Sequence, residues 1–503
     1  VTETAGVKTR HRNAAHGAKL LPETMGGGCA FFDCDNDGDQ DLFVATLNAS
    51  RHRLYVNDGA GNFVEEGAVR GLLIDDAAKL TTGTSASWGD YDRDGYLDLF
   101  VTSWSGFTAT GASSQARLFR NLGTAGPGQF VDVTASAGVT LELTSGFHAG
   151  QDLSFTSRFA DFDQDGWPDL AVASDGKTSR LFWNRGDGTF EDGTAAAGVN
   201  TGTNDMGLAV GDVNGDGRLD WFATSIGFAL GRHPSGNRRF LNQGDRTFVD
   251  ATDAAGVREG GWGWAAALFD FDNDGDLDVA HANGMTIGTP EQADAVFFRN
   301  DGDAQHPQFV EVAAEVGLAA REQGRGLLTF DYDHDGDLDL FIVNYDEPPR
   351  LYRNDQSEAN HWLQVQAVGD SSNRDGLGAL VVTTVDLVQP AESALRAIDG
   401  GSNYLSQSEP LAHFGLGDAE VVDLVEVCWP SGLVQRFYDV AADQRLIVVE
   451  GLLADADGDA DVDSLDWAAW GAAFGTGEIA PGAPGDADGS GRVDGRDALI
   501  WQR

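Results

Sequence analysis

Short apolar runs alternate with acidic, glycine-rich loops along the first 355 residues. The runs are a few residues long, β-branched or aromatic, and bounded by Gly and Asp, which is the pattern of strands rather than helices. Ala30-Phe31-Phe32, Ala209-Val210 and Leu327-Leu328 each precede an acidic loop. Leu42-Phe43-Val44, Leu99-Phe100-Val101 and Leu340-Phe341-Ile342-Val343 each follow one. A third run then ends on Asn57, Asn121, Asn184, Asn242, Asn300 or Asn354. In five units a Gly-containing turn leads to a fourth run that opens on Phe63, Phe130, Phe190, Phe248 or Phe309. The fourth run often continues into Ala-Gly-Val, as at Ala137-Gly138-Val139, Ala197-Gly198-Val199 and Ala255-Gly256-Val257.

The acidic loops share one pattern, D-x-[DN]-x-D-G-x-x-D, starting at Asp33, Asp90, Asp161, Asp212, Asp270 and Asp331, with spacings of 57, 71, 51, 58 and 61 residues. Four short strands per unit of this length predict the blades of a β-propeller. The sixth unit stops after its third run, near Asn354, while the N-terminus carries the matching fragment Thr4-Ala5-Gly6-Val7. An N-terminal strand is therefore expected to complete the last blade and hide the sheet edges. The reading favours six blades and leaves seven open.

Composition sharpens this picture. Eighty Asp and Glu against 33 Lys and Arg give a formal charge of −47 over 503 residues. Such a chain is not built for nucleic acid or for anionic membrane surfaces, both of which require basic faces. No apolar stretch is long enough for a membrane-spanning helix. The chain starts at Val1 without a signal segment, which reads as a mature or trimmed product. Cys29, Cys34 and Cys428 do not form a disulfide framework; a Cys29–Cys34 pair and free thiols both remain open.

The loop pattern itself suggests divalent cations. Calcium takes six to eight oxygens, and alternate aspartates around a tight turn supply them. Gly at position six permits the sharp backbone angle. Three or four carboxylates within a few ångströms repel one another strongly unless a cation intervenes. The candidate calcium ligands of the first unit are Asp33, Asp35, Asp37 and Asp41, with the carbonyl of Asp39. The second unit offers Asp90, Asp92, Asp94, Tyr96 and Asp98, and the third Asp161, Asp163, Asp165, Trp167 and Asp169. The fourth offers Asp212, Asn214, Asp216, Arg218 and Asp220, where Asn214 still presents an oxygen. The fifth offers Asp270, Asp272, Asp274, Asp276 and Asp278, and the sixth Asp331, Asp333, Asp335, Asp337 and Asp339. Tyr96, Trp167 and Arg218 are included for their backbone carbonyls only.

These units resemble the FG-GAP or VCBS repeats of integrin-α-type β-propellers. The resemblance implies that calcium occupies the same positions in each loop. Beyond residue 357 the acidic loops stop, and a compact β region extends to about residue 450. Its segments Asn373-Arg374-Asp375-Gly376-Leu377-Gly378-Ala379, Gly401-Ser402-Asn403-Tyr404-Leu405-Ser406-Gln407, His413-Phe414-Gly415-Leu416-Gly417 and Trp429-Pro430-Ser431-Gly432 resemble the ASPIC/UnbV domain, which accompanies such propellers. Residues 451–503 carry two twelve-residue EF-hand-type loops. One presents Asp455, Asp457, Asp459, Asp461 and Asp466; the other presents Asp486, Asp488, Ser490, Arg492 and Asp497. Each is followed by a short helical pattern, and the pair resembles a type I dockerin. That resemblance implies a cohesin-like or other cell-surface partner, contacted through Ser464, Leu465, Gly495 and Arg496.

The expected architecture is therefore all-β: a propeller at 1–356, an ASPIC/UnbV-like β domain at 357–450 and a short α-helical, EF-hand-like tail. No G-x-S-x-G, H-E-x-x-H or P-loop pattern occurs. His413, Arg374, Asp375, Asp399 and Tyr404 tempt a catalytic reading, yet a packed histidine, a turn and an aromatic packing residue account for most of them. Trp88, Trp104, Trp262 and Trp264 are candidates for a propeller face, with burial in the core as the plainer expectation. The leading expectation is a secreted or cell-surface, calcium-binding adhesion or ligand-binding protein, non-enzymatic, with an extracellular protein or glycan ligand. The alternatives are a polysaccharide-active lyase or hydrolase carried by the tail, and a structural scaffold.

Overall fold

The computed structural model describes residues 4–8, 25–46, 52–72, 83–105, 115–141, 150–202, 204–227, 236–284, 294–302, 307–318, 322–355, 360–388, 393–401 and 403–451. The tail loops from Asp455 to Asp497 lie outside these residues. The chain is all-β and built from repeated small sheets, consistent with a β-propeller. Six sheets follow one another, the first five being antiparallel four-stranded meanders and the sixth, Gly324–Phe330 to Arg350–Tyr352, three-stranded. The first strands of successive sheets pack side by side, from Cys29–Phe32 through Gly83–Gly89, Ser154–Ala160, Asp205–Gly211 and Gly263–Phe269 to Gly324–Phe330. These inner strands are almost wholly buried in the middle sheets, which explains their run of small and apolar residues.

The Ala-Gly-Val segments have a defined job. Thr134–Ala137, Thr194–Ala197 and Thr252–Ala255 form single helical turns, each ended by a left-handed glycine. The glycine leans on the fourth strand of the next sheet. The N-terminal fragment repeats this contact instead of forming a strand: residues 4–6 are a turn, and the Phe63 amide donates to the Ala5 carbonyl at 2.7 Å. A Cβ on Gly6 would stand 2.2 Å from the Phe63 carbonyl oxygen, just as one on Gly71 would stand 2.0 Å from that of Phe130. The N-terminus thus supplies the inter-sheet turn expected of a sixth unit, docked on sheet one. Among the described residues it adds no fourth strand to sheet six.

The C-terminal region forms two further sheets. His361–Val368 lies between Ala412–Gly417, antiparallel, and Gln444–Val449, parallel. Leu380–Thr384 pairs with Ser393–Ala397 and Val421–Cys428, and the latter pairs with Val434–Ala441. Leu363, Val365, Val381, Val425 and Val427 join one buried cluster with Phe32, Phe43 and Trp88 of the first two repeated sheets. The two parts of the chain therefore share a core.

A loop of the C-terminal region also enters the ring of inner strands. Trp88 bridges to Gly400, and the Arg158 guanidinium holds Asp399 and Asn403. Tyr404 is fully buried, its ring 5.2 Å from Trp264 and 5.8 Å from Phe155. The returning limb runs between the first strands of sheets one and six. The Cys29 amide donates to the Leu405 carbonyl at 3.3 Å, and the Phe31 amide to Gln407 Oε1 at 3.0 Å. On the other side Ser406 Oγ donates to the Leu327 carbonyl at 2.7 Å and the Thr329 amide to Ser408 Oγ at 3.1 Å. The first and last inner strands are joined through this limb. Trp88, Trp104 and Trp264 are core residues, and Trp262 is half-buried.

Truncating Tyr404 leaves a ring-sized void at the centre of the inner strands. Tyr404→Ala is expected to cost about 3–5 kcal/mol in urea unfolding. The repeated sheets and the C-terminal sheets should lose stability in one shared transition. Two separated transitions, with only the C-terminal one shifted, would contradict the shared core.

Candidate metal centres

Each acidic loop joins the first and second strands of a repeated sheet, so all six open at the same ends of the inner strands. The local geometry repeats closely. At position one of loops one to five, both carboxylate oxygens accept backbone amides from positions five and six: Asp33 from Asp37 at 3.1 Å and Gly38 at 2.7 Å, and Asp90 from Asp94 at 3.0 Å and Gly95 at 2.9 Å. The glycine at position six takes positive φ at Gly38, Gly95, Gly166, Gly217, Gly275 and Gly336. At Gly336 a Cβ would also fall 1.9 Å from the Trp362 ring of the C-terminal region. Position five turns back on position seven, as Asp94 Oδ1 accepts the Tyr96 amide at 3.0 Å.

Position nine ties the loop to its sheet. Asp41, Asp98, Asp169, Asp220, Asp278 and Asp339 are all buried. One oxygen accepts the amide of position two, and the other accepts the amide of the Asn ending the third strand. For Asp98 these are Tyr91 at 3.1 Å and Asn121 at 2.8 Å. The recurring Asn was visible in the sequence; its role was not, because the spacing alone does not show what it faces.

Position three is different. Buried oxygens of Asp35, Asp92, Asn214 and Asp272 have no hydrogen-bond partner, and neither has Oδ1 of Asp331 at position one of the sixth loop. Buried carboxylate oxygens are costly unless something positive meets them. Carboxylate oxygens of Asp33, Asp35 and Asp37, of Asp90, Asp92 and Asp94, of Asp161, Asp163 and Asp169, and of Asp270, Asp272 and Asp278 converge within 4.8 Å. These oxygen-only groups fit a hard divalent cation. Cys34 joins Asp35 and Asp41 in one further grouping. Arginines lean on position three in several loops: Arg70 on Asp35 at 2.9 Å, Arg120 on Asp92 at 3.8 Å and Arg246 on Asp163 at 2.5 Å. They offset part of the charge, and nothing in the sequence pattern pointed to them.

Burial raises the affinity of these carboxyls for protons, and neighbouring carboxylates add to it. Asp33, Asp92, Asp161, Asp272 and Asp339 are pushed to about 6, and Asp90, Asp220 and Asp270 to about 7. Asp98, Asp169 and Asp278 are pushed up well beyond the ordinary range. Three buried imidazoles shift the other way by desolvation: His52 to about 3, His281 to about 4 and His413 to about 4. His413 lies buried on its strand, with Nε2 2.9 Å from the Gly336 carbonyl, so it is a packing residue here.

The C-terminal region lies directly on several loops. Asp375 accepts the Asp33 amide at 2.8 Å and Gln40 Nε2 at 2.5 Å, so the tempting Arg374-Asp375 pair is a docking turn. The Gly415 amide donates to Asp270 at 2.9 Å, and Gln364 Nε2 to Asp331 at 2.9 Å. Cys29, Cys34 and Cys428 are free thiols.

Residues 33–101, 161–223 and 228–281 match the FG-GAP-like repeat, and residues 369–453 match the ASPIC and UnbV domain. The chain thus carries FG-GAP-like repeats together with an ASPIC/UnbV domain. Its similar relatives include human cartilage acidic protein 1, 28% identical over 86% of this chain and 64% of that protein, and mouse cartilage acidic protein 1, also 28% identical over 86% and 65%. The chain spans just under two thirds of the length of these relatives. Among solved structures, an Agrocybe aegerita lectin that recognises non-reducing terminal N-acetylglucosamine aligns with TM-score 0.39 at 18% identity, covering 66% of this chain and 81% of that one. The exotype rhamnogalacturonan lyase YesX aligns with TM-score 0.37 at 15% identity over 85% and 74%. At these scores neither likeness bears on function.

The carboxyl shifts give a pH signature. A carboxyl whose folded pKa lies above its unfolded 3.8 adds stability below that value, and this is lost as pH rises through about 6–7. With cations chelated, the melting temperature is expected to fall between pH 5 and pH 7.5. Excess calcium should remove that fall, since bound cations replace the protons. Identical profiles with and without chelator would contradict cation binding at these loops.

Proposed function

We propose that the protein is an extracellular, calcium-structured binding or adhesion protein, non-enzymatic, with six propeller blades spanning residues 1–356, an ASPIC/UnbV-like domain at 357–450 and a calcium-loop tail at 451–503. The observation that carries this reading is the set of buried, unpartnered position-three oxygens at Asp35, Asp92, Asn214 and Asp272, each inside an oxygen-rich turn. In this reading every loop holds one Ca2+ through positions one, three, five and nine and the carbonyl of position seven. The bound ion would supply charge compensation and backbone order, not chemistry.

Extracellular calcium is millimolar, which suits many modest sites, whereas the resting cytosol would leave such sites empty. The relatives' name, cartilage acidic protein 1, fits that setting. Among the described residues no helix is long and apolar enough to cross a membrane. Tyr404 and its limb occupy part of the ring of inner strands, and in this reading an extracellular protein or glycan ligand meets the outer surfaces. Attachment through the tail, to a cohesin-like or other surface partner, completes the proposal.

Chelation should lower the melting temperature sharply. Each site held at 100 times its Kd contributes about 2.7 kcal/mol to the folded state. Calorimetry in 5 mM calcium against excess chelator reads this directly, and an unchanged melt would sink the calcium reading. Deleting residues 452–503 should abolish surface attachment in a cell- or matrix-binding assay and leave the main melt in place. Loss of the main melt instead would assign the tail a stabilising role.

A further inference from the structure

The loops are wired to one another, and the wiring has two gaps. In each loop the amide of position two donates to the position-nine aspartate: Cys34 to Asp41, Tyr91 to Asp98 and Phe162 to Asp169, all at 3.1 Å. The carbonyl of that same residue points to the next sheet. There it accepts Nδ2 of the Asn ending the third strand: Asn121 to Cys34 at 2.8 Å, Asn184 to Tyr91 at 2.9 Å and Asn242 to Phe162 at 2.7 Å. The amide of each Asn then donates to the position-nine aspartate of its own loop at 2.8 Å. A continuous chain of peptide groups and side chains therefore links Asp41, Asp98, Asp169 and Asp220. A second, shorter chain links Asp278 through Phe271 and Asn354 to Asp339, with Asn354 Nδ2 2.7 Å from the Phe271 carbonyl.

Between loops four and five the chain is broken. Asn300 keeps its amide bond to Asp278 at 2.7 Å, but its buried Nδ2 has no partner. The position-four residues, which form a separate set of contacts, break at the same place. Asn36 Nδ2 reaches the Gly95 carbonyl at 2.8 Å, Arg93 stacks 5.0 Å from the Trp167 ring centre, and Gln164 Nε2 reaches the Gly217 carbonyl at 2.6 Å. Asn273 Nδ2 reaches Asp337 at 3.0 Å. Loop four has Gly215 at this position and so no side chain to extend. At that seam the C-terminal region inserts Arg396, whose Nη2 donates to the Gly275 carbonyl at 3.1 Å. Between loops six and one, the limb Leu405 to Glu409 intervenes.

We infer that cation binding is coupled within two blocks, loops one to four and loops five to six, and that Asn121, Asn184, Asn242 and Asn354 are the positioning residues that couple them. This rests on the calcium reading and adds communication between sites. A cation in one loop fixes its position-nine aspartate and position-two peptide. That peptide orients the Asn of the next sheet, whose amide holds the next position-nine aspartate. The second cation then meets a loop already ordered, which is positive cooperativity without any large rearrangement.

The test is a calcium titration of the chelator-stripped full chain by calorimetry, with terbium luminescence as a second readout. Asn184→Ala cuts the first block in its middle. Asn300→Ala removes the matching side chain at the gap, where no link exists. Wild type is expected to bind with a Hill coefficient above one. Asn184→Ala should lower that coefficient and weaken the coupled sites by about fivefold or more, the lower end of typical coupling. Asn300→Ala should match wild type. If both variants shift alike, or wild type shows independent sites, the coupling is overturned while the calcium reading stands. If wild type binds neither ion, both fail together. Melting each variant in chelator separates lost fold from lost coupling, and Asn354→Ala gives the same comparison in the second block if Asn184→Ala does not fold.

Discussion

The structure depends on managing like charge at close range. Six turns each bring three or four aspartates together, and the position-nine member of every set is buried at the start of a strand. At about 4 Å, two carboxylates in a partly desolvated site repel with roughly 4 kcal/mol at an effective dielectric of 20. Repeated in six clusters, such a cost is comparable with or larger than the about 5–15 kcal/mol by which a folded chain is usually stable. The chain meets the difficulty in layers. Backbone amides meet both oxygens of position nine, both oxygens of position one in loops one to five, and one oxygen of position five; arginines approach some of the position-three carboxylates, and buried position-three oxygens are left for a cation. The formal charge of −47 is in this sense an architectural property, concentrated where the strands turn.

The same constraint explains why the backbone of the loops is so uniform. In loops one to five the position-one carboxylate faces two consecutive amides, and in all six loops the turn takes positive φ at position six. Five loops also carry a side-chain-bearing residue in left-handed conformation at position four: Asn36, Arg93, Gln164, Asn273 and His334. Non-glycine residues in that conformation are uncommon and are tolerated when the surroundings fix them. Here four of the five also reach the neighbouring loop, so a conformation imposed by the metal-type turn is reused for contact between sheets.

The sequence revealed the loops and strands well, because a nine-residue pattern with invariant Asp and Gly positions leaves little freedom in how the turn closes. The expected strands before and after each loop are present, from Ala30-Phe31-Phe32 to Leu340-Phe341-Ile342. What the pattern left as unspecified positions proved harder. Position four and the terminal Asn of the third strand owe their roles to residues in a different sheet, which no single unit displays. The Thr4-Ala5-Gly6-Val7 fragment matches the repeat, and the sequence pattern alone places it in the strand of that unit. Its docking on Phe63 shows that it is the turn beyond the strand. Tyr404 is a packing residue, as expected from the sequence, yet its depth among Phe155 and Trp264 depends on strands some 140 to 250 residues earlier in the chain.

The interior limb changes what the two parts of the chain can be to one another. A ring of sheets ordinarily closes by pairing its first and last elements, which leaves the central channel free for a ligand. In this chain the first and last inner strands are bridged by Leu405 to Glu409, and the channel holds Tyr404. The C-terminal region further contacts loops one, five and six through Asp375, Gly415 and Gln364. A ring closed in this way cannot be separated from its C-terminal region without exposing both inner-strand edges and the apolar cluster around Trp88. The acidic loops and the C-terminal region consequently share contacts: Asp375 accepts the Asp33 amide, and Gly415 and Gln364 donate to the Asp270 and Asp331 carboxylates, so the C-terminal region helps to offset the charge at two of these loops.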